Sequence, residues 1–425
     1  MIRPFVARAR KSVLVRNAGW LFAGQGLSFG VQALYFIVLA RVLGTRQYGL
    51  LAGAVALVSV VSQYSSLGSG ILFLRYVSPD HSRFRLYWGN ILMTVSVLGA
   101  LLVLGIRLAG RWLVGPQSVP LLFPIAISDC VFAQISSCAG MVFLTFEKMK
   151  LSAGLTLLTS ISRCFLAVGM LVVLGRASAW QWAVASVAVS SLSACLAILT
   201  VTRSFGLPLF SPSLLIKRAV EGFVFAISAS TTAVYNDIDK VVLSHAGMDR
   251  ANGVYSMAYR LVNIGTMPIQ SIVGAAFPRF FREGVKGIAA TIPMARQLLK
   301  RTAGLGIVIS AVIFLCAPIL PHLVGKSYAE SVSALRWLCL IPFFRCFHLS
   351  AGDAIAGAGH QKYRLLSQSI AAIGNLLLNL YLVPRYSWQG AAWASLATDG
   401  TLGLMNWVAI IYLARRSVPV LQTID

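Results

Sequence analysis

Apolar runs of 18 residues or more recur along the whole of this 425-residue chain, and no other feature restricts its fold so severely. A run of that length matches the ~30 Å hydrocarbon core of a bilayer, where a helix satisfies its own backbone N–H and C=O groups. Composition agrees: 58% of residues are hydrophobic and only 11% are charged, with a mean hydropathy of +0.79. That leaves too little polar surface to cover a soluble core of this size. The expected fold class is therefore all-α, a polytopic membrane protein.

Twelve spans are predicted, at about 16–40, 47–73, 86–106, 119–145, 151–174, 180–202, 219–244, 251–278, 303–320, 332–357, 365–383 and 388–413. The breaks carry Gly, Pro and charged residues. Even the longest, 203–218 and 279–302, are too short to fold as separate soluble domains. The N-terminus, "MIRPFVARARKSVLVRNAGWLF", resembles the basic region of a signal peptide, but its apolar stretch runs on to about Ala40 with no small-residue cleavage site. It reads as an uncleaved first span.

A net charge of +24 on a soluble protein would point to nucleic acid. Here the basic residues fall in the short breaks, which makes them a topology signal. The two tails and the loops beginning near 74, 146, 203, 279 and 358 hold 23 of the 36 Lys and Arg residues. The opposite loops hold nine, and Arg163, Lys240, Arg260 and Arg345 lie inside spans. Both termini are thus expected in the cytoplasm. All seven cysteines lie within apolar runs without a CxxC, and the five histidines form no HxxxH or HExxH. Neither a metal site nor a cofactor is indicated.

Shifting the chain by 204 residues lays Leu39 on Leu243, Gly49 on Gly253, Gly70 on Gly274 and Arg75 on Arg279. With six spans per half, the two halves enter the membrane in the same sense. The expected architecture is two six-helix lobes, 1–210 and 211–425, with a substrate path between them.

Charge inside hydrocarbon costs ~2.5–3.5 kcal/mol per residue, so intramembrane charges are functional candidates. Asp129, Arg163, Arg260, Arg345 and Asp399 are central in their spans. The stretch "YNDIDKVVL" (235–243) places Asp237, Asp239 and Lys240 one to two turns from the outer end of span seven. One reading has Lys240 snorkelling to the interface with Asp237 as its i,i+3 partner. The other pairs spans seven and eight across their short loop, bringing Arg260 to the depth of Asp239 and Lys240. Asp129 and Arg163 can equally be a structural pair. Arg75 and Arg279 read as topology anchors, His348 as a hydrogen-bonded packing residue, and Gly24, Gly26 and Gly30 as close-packing positions. No enzyme signature and no repeated filter loop is visible, which leaves a transporter with a charged, water-accessible centre.

Several stretches carry a further signal: "LARVLGTRQYG" (39–49), "YNDIDKVVLSHAG" (235–247), "GVYSMAYRLVNIGTMP" (253–268), "FPRFF" (277–281) and "GNLLLNLYLVPRYSWQGAAWAS" (374–395). In this order and spacing the chain resembles the polysaccharide-transport branch of the multidrug/oligosaccharidyl-lipid/polysaccharide exporter superfamily, which includes O-antigen and exopolysaccharide-unit flippases. The resemblance implies a V-shaped bundle of two six-helix lobes in the bacterial inner membrane. Its implied task is to move undecaprenyl-diphosphate-linked oligosaccharide units to the outer leaflet by alternating access. The partners implied are the lipid-linked substrate, membrane lipids, and the polysaccharide polymerase and chain-length machinery. The family's acid–base position at the end of span seven falls on Asp239 and Lys240, and its span-eight arginine on Arg260. Substrate-facing cations are expected at Lys240, Arg260, Arg163 and Arg345, and ion- or proton-coupling acids at Asp239, Asp237, Asp129 and Asp399. The related lipid II flippases carry first-span arginines that would fall near Phe29 and Tyr35, which points away from that substrate. Alternatives are a cation-coupled multidrug exporter and, from another class, a membrane-embedded glycan polymerase or ligase.

The orientation is open to a direct check. Single cysteines placed near 80, 148, 210, 290 and 361, on a background lacking the native seven, are expected to resist impermeant reagent in intact cells. Labelling of the 290 position from outside would overturn it.

Overall fold

The computed structural model of the chain describes the backbone of residues 2–416 and, Phe29 apart, the side chains from Gly26 onward. Every regular element among these residues is helical. The first, α1 (Ile2–Ser62), is broken at Gly44, whose φ of 69° and ψ of 171° lie outside the helical region. That conformation costs glycine little and an L side chain much, so two of the expected spans follow one another across a single-residue bend. Then come α2 (Ser69–Val77), α3 (Phe84–Ala109), α4 (Val119–Ala126), α5 (Ala133–Thr145), α6 (Met149–Leu174) and α7 (Ala179–Phe205). They are followed by α8 (Pro212–His245), α9 (Asp249–Gly284), α10 (Ile288–Cys316), α11 (Leu320–Val324), α12 (Ser331–Leu338) and α13 (Ile341–Gly357). The last, α14 (Gln361–Arg416), is interrupted at Ser387.

Eight stretches among the described residues are long and apolar enough to cross a membrane. Two of them, in α1 and α14, hold two passes each. Neither α8 nor α9 is among the eight, although 34 and 36 residues give each ~50 Å of helix. Their charged residues lower their hydropathy, and those charges build the site described below. With α8 and α9 the described residues carry the twelve expected passes. Large apolar side chains lie outward along many of them: Val173 is 80% exposed, Leu315 74% and Ile216 73%. Water would not tolerate that surface, whereas acyl chains match it.

Two compact units make up the chain. The first comprises 1–233 and 244–253, and the second 234–243 and 254–425. The expected division at 210/211 falls in the loop before α8, whereas contacts place the change inside that helix. The reason lies in α8's first half, which packs on the first unit. Ser230 Oγ donates to the Val60 carbonyl at 3.1 Å, Gly222 lies against the Leu67 carbonyl, and Glu221 takes Arg75 and Tyr76. The first unit's core is aromatic, with Phe73, Phe84, Trp88 and Phe143 buried between α2, α3, α5 and α7. That of the second joins α9, α10, α13 and α14 through Ile269, Phe280, Cys346, Ile355 and Ile410.

One contact in the first unit joins positions that stand 204 residues apart. A Cβ on Gly49 would run into the Asp249 carbonyl, and a Cβ on Gly253 would run into the Thr45 carbonyl. Thr45 and Asp249 are themselves 204 apart, as are Gly49 and Gly253. The two segments therefore meet as equivalents, each glycine seating the other's preceding turn, as in an isologous interface. Asn252 adds a hydrogen bond to the Gly49 carbonyl at 3.1 Å. Gly26 and Gly30, expected at close packing, instead have nothing within 4 Å of a built Cβ. The packing around Gly24 and the Phe29 side chain lies outside what is described, while Tyr35 is buried against Trp182.

Helix α9 offers a matched pair of glycines. Gly253→Ala should cost ~1–3 kcal/mol by overpacking against backbone. Gly274→Ala, with open space around it, should gain up to ~1 kcal/mol in helix propensity. Thermal melts in detergent should move in opposite directions. Equal shifts would disprove the close approach.

Candidate functional site

The two acids and the base of "YNDIDKVVL" form one cluster in the second unit, with Asp239 and Lys240 buried and Asp237 half-buried. On α8, residues 236, 237 and 240 share a face by the i,i+3/i,i+4 rule. The Lys240 ammonium donates to the Asn236 carbonyl at 2.8 Å and to Asp237 Oδ1 at 2.7 Å. Its third contact is Asp239 Oδ1 at 3.4 Å. Lys240 is only 4% exposed, so it does not snorkel: its charge is met by protein and not by headgroups. Asp237 does pair it at i,i+3, as the simpler reading held.

Asp239 is fully buried. Its Oδ1 also accepts the Lys240 backbone N–H at 2.7 Å. Its Oδ2 accepts the hydroxyls of Tyr255 and, at 3.2 Å, Ser395, which are themselves 2.9 Å apart. These donors meet the lone pairs of a carboxyl group that water does not reach. Tyr255 and Tyr259 stand one turn apart on α9, and the second ring lies under the Lys240 ammonium at 4.3 Å from the centroid. The ring quadrupole favours a cation there.

A second cation reaches the same place. Arg345 of α13, 6% exposed, donates to the Tyr259 hydroxyl at 3.1 Å, to Thr266 Oγ1 at 3.3 Å and to Asn236 Oδ1 at 3.4 Å. Tyr259 thus holds one cation on its face and another at its hydroxyl. The cluster has two acids and two bases, a neutral set that four helices share: α8, α9, α13 and α14. Arg260 follows Tyr259 on α9, about 100° further round the helix, and is half-buried. From α14, Asn375 donates to the Tyr235 carbonyl at 3.0 Å and Asn379 donates to Asn375 Oδ1 at 2.8 Å. The late "GNLLLNL" motif therefore ties α14 to α8 just before Asp237.

Other predicted residues lie elsewhere. In the first unit, Asp129 sits in a π-helical turn, Ile127–Phe132, that follows Pro124. The turn brings its carboxylate to 3.8 Å from Arg163, which also donates to Ser190 at 3.4 Å. Asp399 lies in the second unit on α14, 3.6 Å from His348. Tyr255, Tyr259, Asn236 and Ser395 were not foreseen. The two tyrosines were legible as an i,i+4 pair within "VYSMAY", whereas Ser395 is one hydroxyl among many and only packing selects it.

This geometry can hold a charged ligand in a water-poor space by exchanging internal counter-ions for the ligand's own charge. A sequence profile described as "Polysaccharide biosynthesis protein" matches residues 14–283, more than half of the chain. Comparison with curated proteins finds no match. Among solved structures, one described as the lipid II flippase MurJ in an inward closed conformation is similar at 15% identity and TM-score 0.71, over 92% of this chain and 87% of that one. An inward-facing multidrug resistance MATE family transporter of the MOP superfamily is similar at 17% identity and TM-score 0.70, over 91% and 96%. A MOP superfamily transporter from Pyrococcus furiosus follows at 14% identity and TM-score 0.64, over 95% and 96%. These likenesses establish a shared transporter fold.

The cluster predicts opposite outcomes for one chemical change. Tyr255→Phe strips a donor from buried Asp239 and should cost ~1–3 kcal/mol. Tyr235→Phe removes a buried hydroxyl that has no hydrogen-bond partner and should be neutral or slightly stabilising. Detergent melts of the two variants measure the difference.

Proposed function

The chain belongs to the polysaccharide biosynthesis protein family, and from that premise we infer that it is a flippase for undecaprenyl-diphosphate-linked oligosaccharide units in the bacterial inner membrane. Both termini then face the cytoplasm, and the cycle runs by alternating access. The observation that carries this reading is the neutral cluster of Asp237, Asp239, Lys240 and Arg345 inside a membrane protein, with Asp237 half-buried and the other three buried. A diphosphate cannot cross hydrocarbon bare and needs cations in a shielded place, while its lipid tail remains in the bilayer. Lys240, Arg345 and Arg260 supply those cations, and Arg163 supplies one in the first unit. When the site is empty, Asp237 and Asp239 act as resident counter-ions, which the diphosphate displaces. Asp239 releases Lys240 by taking a proton or by shifting to Tyr255 and Ser395 alone. The product passes to a polymerase and chain-length machinery on the far side.

The same fold serves drug exporters, which would load an organic cation. Reconstituted vesicles separate the readings, since a flippase relocates lipid-linked glycan without changing its mass. Lys240→Gln and Arg260→Gln should each abolish or severely reduce glycan export at normal membrane levels, because a neutral amide cannot replace a desolvated charge-assisted contact. Arg260→Lys should rescue only in part, since the planar fork is lost. Wild-type export by both neutral variants would show that these charges are structural.

A further inference from the structure

One pair of ionisable side chains lies apart from the Lys240 cluster and is left unfinished by the protein around it. Asp399 of α14 and His348 of α13 face each other at 3.6 Å, with side chains 2% and 13% exposed. Neither Asp399 Oδ1 nor His348 Nε2 has a hydrogen-bond partner. Close packing holds them there. A Cβ on Gly403 would meet Phe347 at 3.1 Å, and one on Gly400 would meet Phe344 at 3.7 Å, so α13 and α14 approach through glycines at this level. Asn406 then pins the helix by donating to the His348 carbonyl at 3.2 Å.

A buried polar atom without a partner costs ~1–3 kcal/mol, and more if charged. Two such atoms facing each other are both satisfied by one proton. As O–H···N, or as N–H···O between imidazolium and carboxylate, the proton gives each orphan its partner once the pair closes by a few tenths of an ångström. A metal ion fits less well: among the described residues no group of three or more His, Cys, Asp or Glu could hold one.

We propose that His348 and Asp399 form a binding site for one exchangeable proton, whose occupancy is read by the Lys240 cluster. His348, the more exposed member, is the point of exchange with water, and Asp399 is the buried store. Two contacts carry the reading. Arg345 stands one turn before His348 on α13 and donates into the cluster at Tyr259 and Asn236. Tyr235, two residues before Asp237, sets its ring edge-on to the imidazole at 6.2 Å between centroids.

The ionisable groups around the pair favour this role. On α13 they are Arg345 and Asp353, on α14 Arg364, and on α8 Tyr235. Asp353 and Arg364 neutralise each other at 3.1 Å. The stretch of α10 beside Phe343 and Cys346, around Gly306, has no charged residue. Arg345, one turn from His348, donates only to neutral groups and is balanced only by the cluster as a whole, so it repels the incoming proton. Binding of an anionic ligand at Arg345 would offset that repulsion and draw a proton in, so ligand and proton bind cooperatively.

The proposal rests on the flippase reading only for what the proton drives, and the site can be tested without transport. Infrared difference spectra of the purified protein, titrated in pH, report the carboxylic acid band of a protonated buried carboxyl. Wild type should show a titrating band that Asp399→Asn removes. His348→Gln should move its midpoint by at least one pH unit, a tenfold change in proton affinity, or about 1.4 kcal/mol. Arg345→Gln should move it to higher pH, because a repelling charge is gone. A band that survives Asp399→Asn, or a midpoint untouched by both His348→Gln and Arg345→Gln, overturns the proposal; so does displacement of the band by sodium at fixed pH. His348→Gln and Arg345→Gln keep the test decisive should Asp399→Asn fail to fold. If the band behaves as described while vesicles flip no glycan, the flippase reading fails and the proton site stands.

Discussion

A charge inside hydrocarbon must bring its own solvent, and the second unit of this protein is arranged around that requirement. Lys240 and Arg345 have donors that must be met, and Asp237 and Asp239 have lone pairs that must be met, and all but Asp237 are buried. The protein answers with a neutral set closed by Tyr255, Tyr259, Ser395, Asn236 and Thr266. Each of these adds a directional contact to helix faces that hydrophobic burial cannot drive together, since lipid tails are as apolar as leucine. The charged groups thus specify which faces of α8, α9, α13 and α14 meet.

The same requirement explains why a cluster so well satisfied can still be functional. Buried ion pairs gain little net stability over apolar packing of equal volume, which is why the proposed reading gives this cluster exchangeable charge. In the proposed reading, a ligand bringing two negative charges would compete with Asp237 and Asp239 on equal terms. The His348–Asp399 pair differs in kind: it is incomplete as it stands, and it adjoins the cluster through Arg345.

Glycine plays the complementary part. Where Gly49 and Gly253 meet, and where Gly400 and Gly403 face α13, the absence of a side chain lets backbones approach and turns weak dispersion into a fixed register. Such contacts also let the 204-residue offset, a faint pattern in the sequence, appear as a reciprocal contact between Thr45–Gly49 and Asp249–Gly253.

How much of this was legible beforehand follows from range. The sequence by itself determined the all-helical membrane class and the twelve passes, because hydropathy over some twenty residues is a local property that bilayer thickness selects. It marked Asp129, Arg163, Asp237, Asp239, Lys240, Arg260, Arg345 and Asp399 as candidates, because a charge in an apolar run is conspicuous wherever it points. Only the tertiary structure decided what each charge meets. That Lys240 is enclosed by protein, that Arg345 reaches the same tyrosine, that α8 changes unit partway along its length, and that Ser395 completes Asp239 all depend on the rotation and register of helices far apart in the chain. Those are set by many small contacts summed over whole helix faces, which no single stretch of sequence contains.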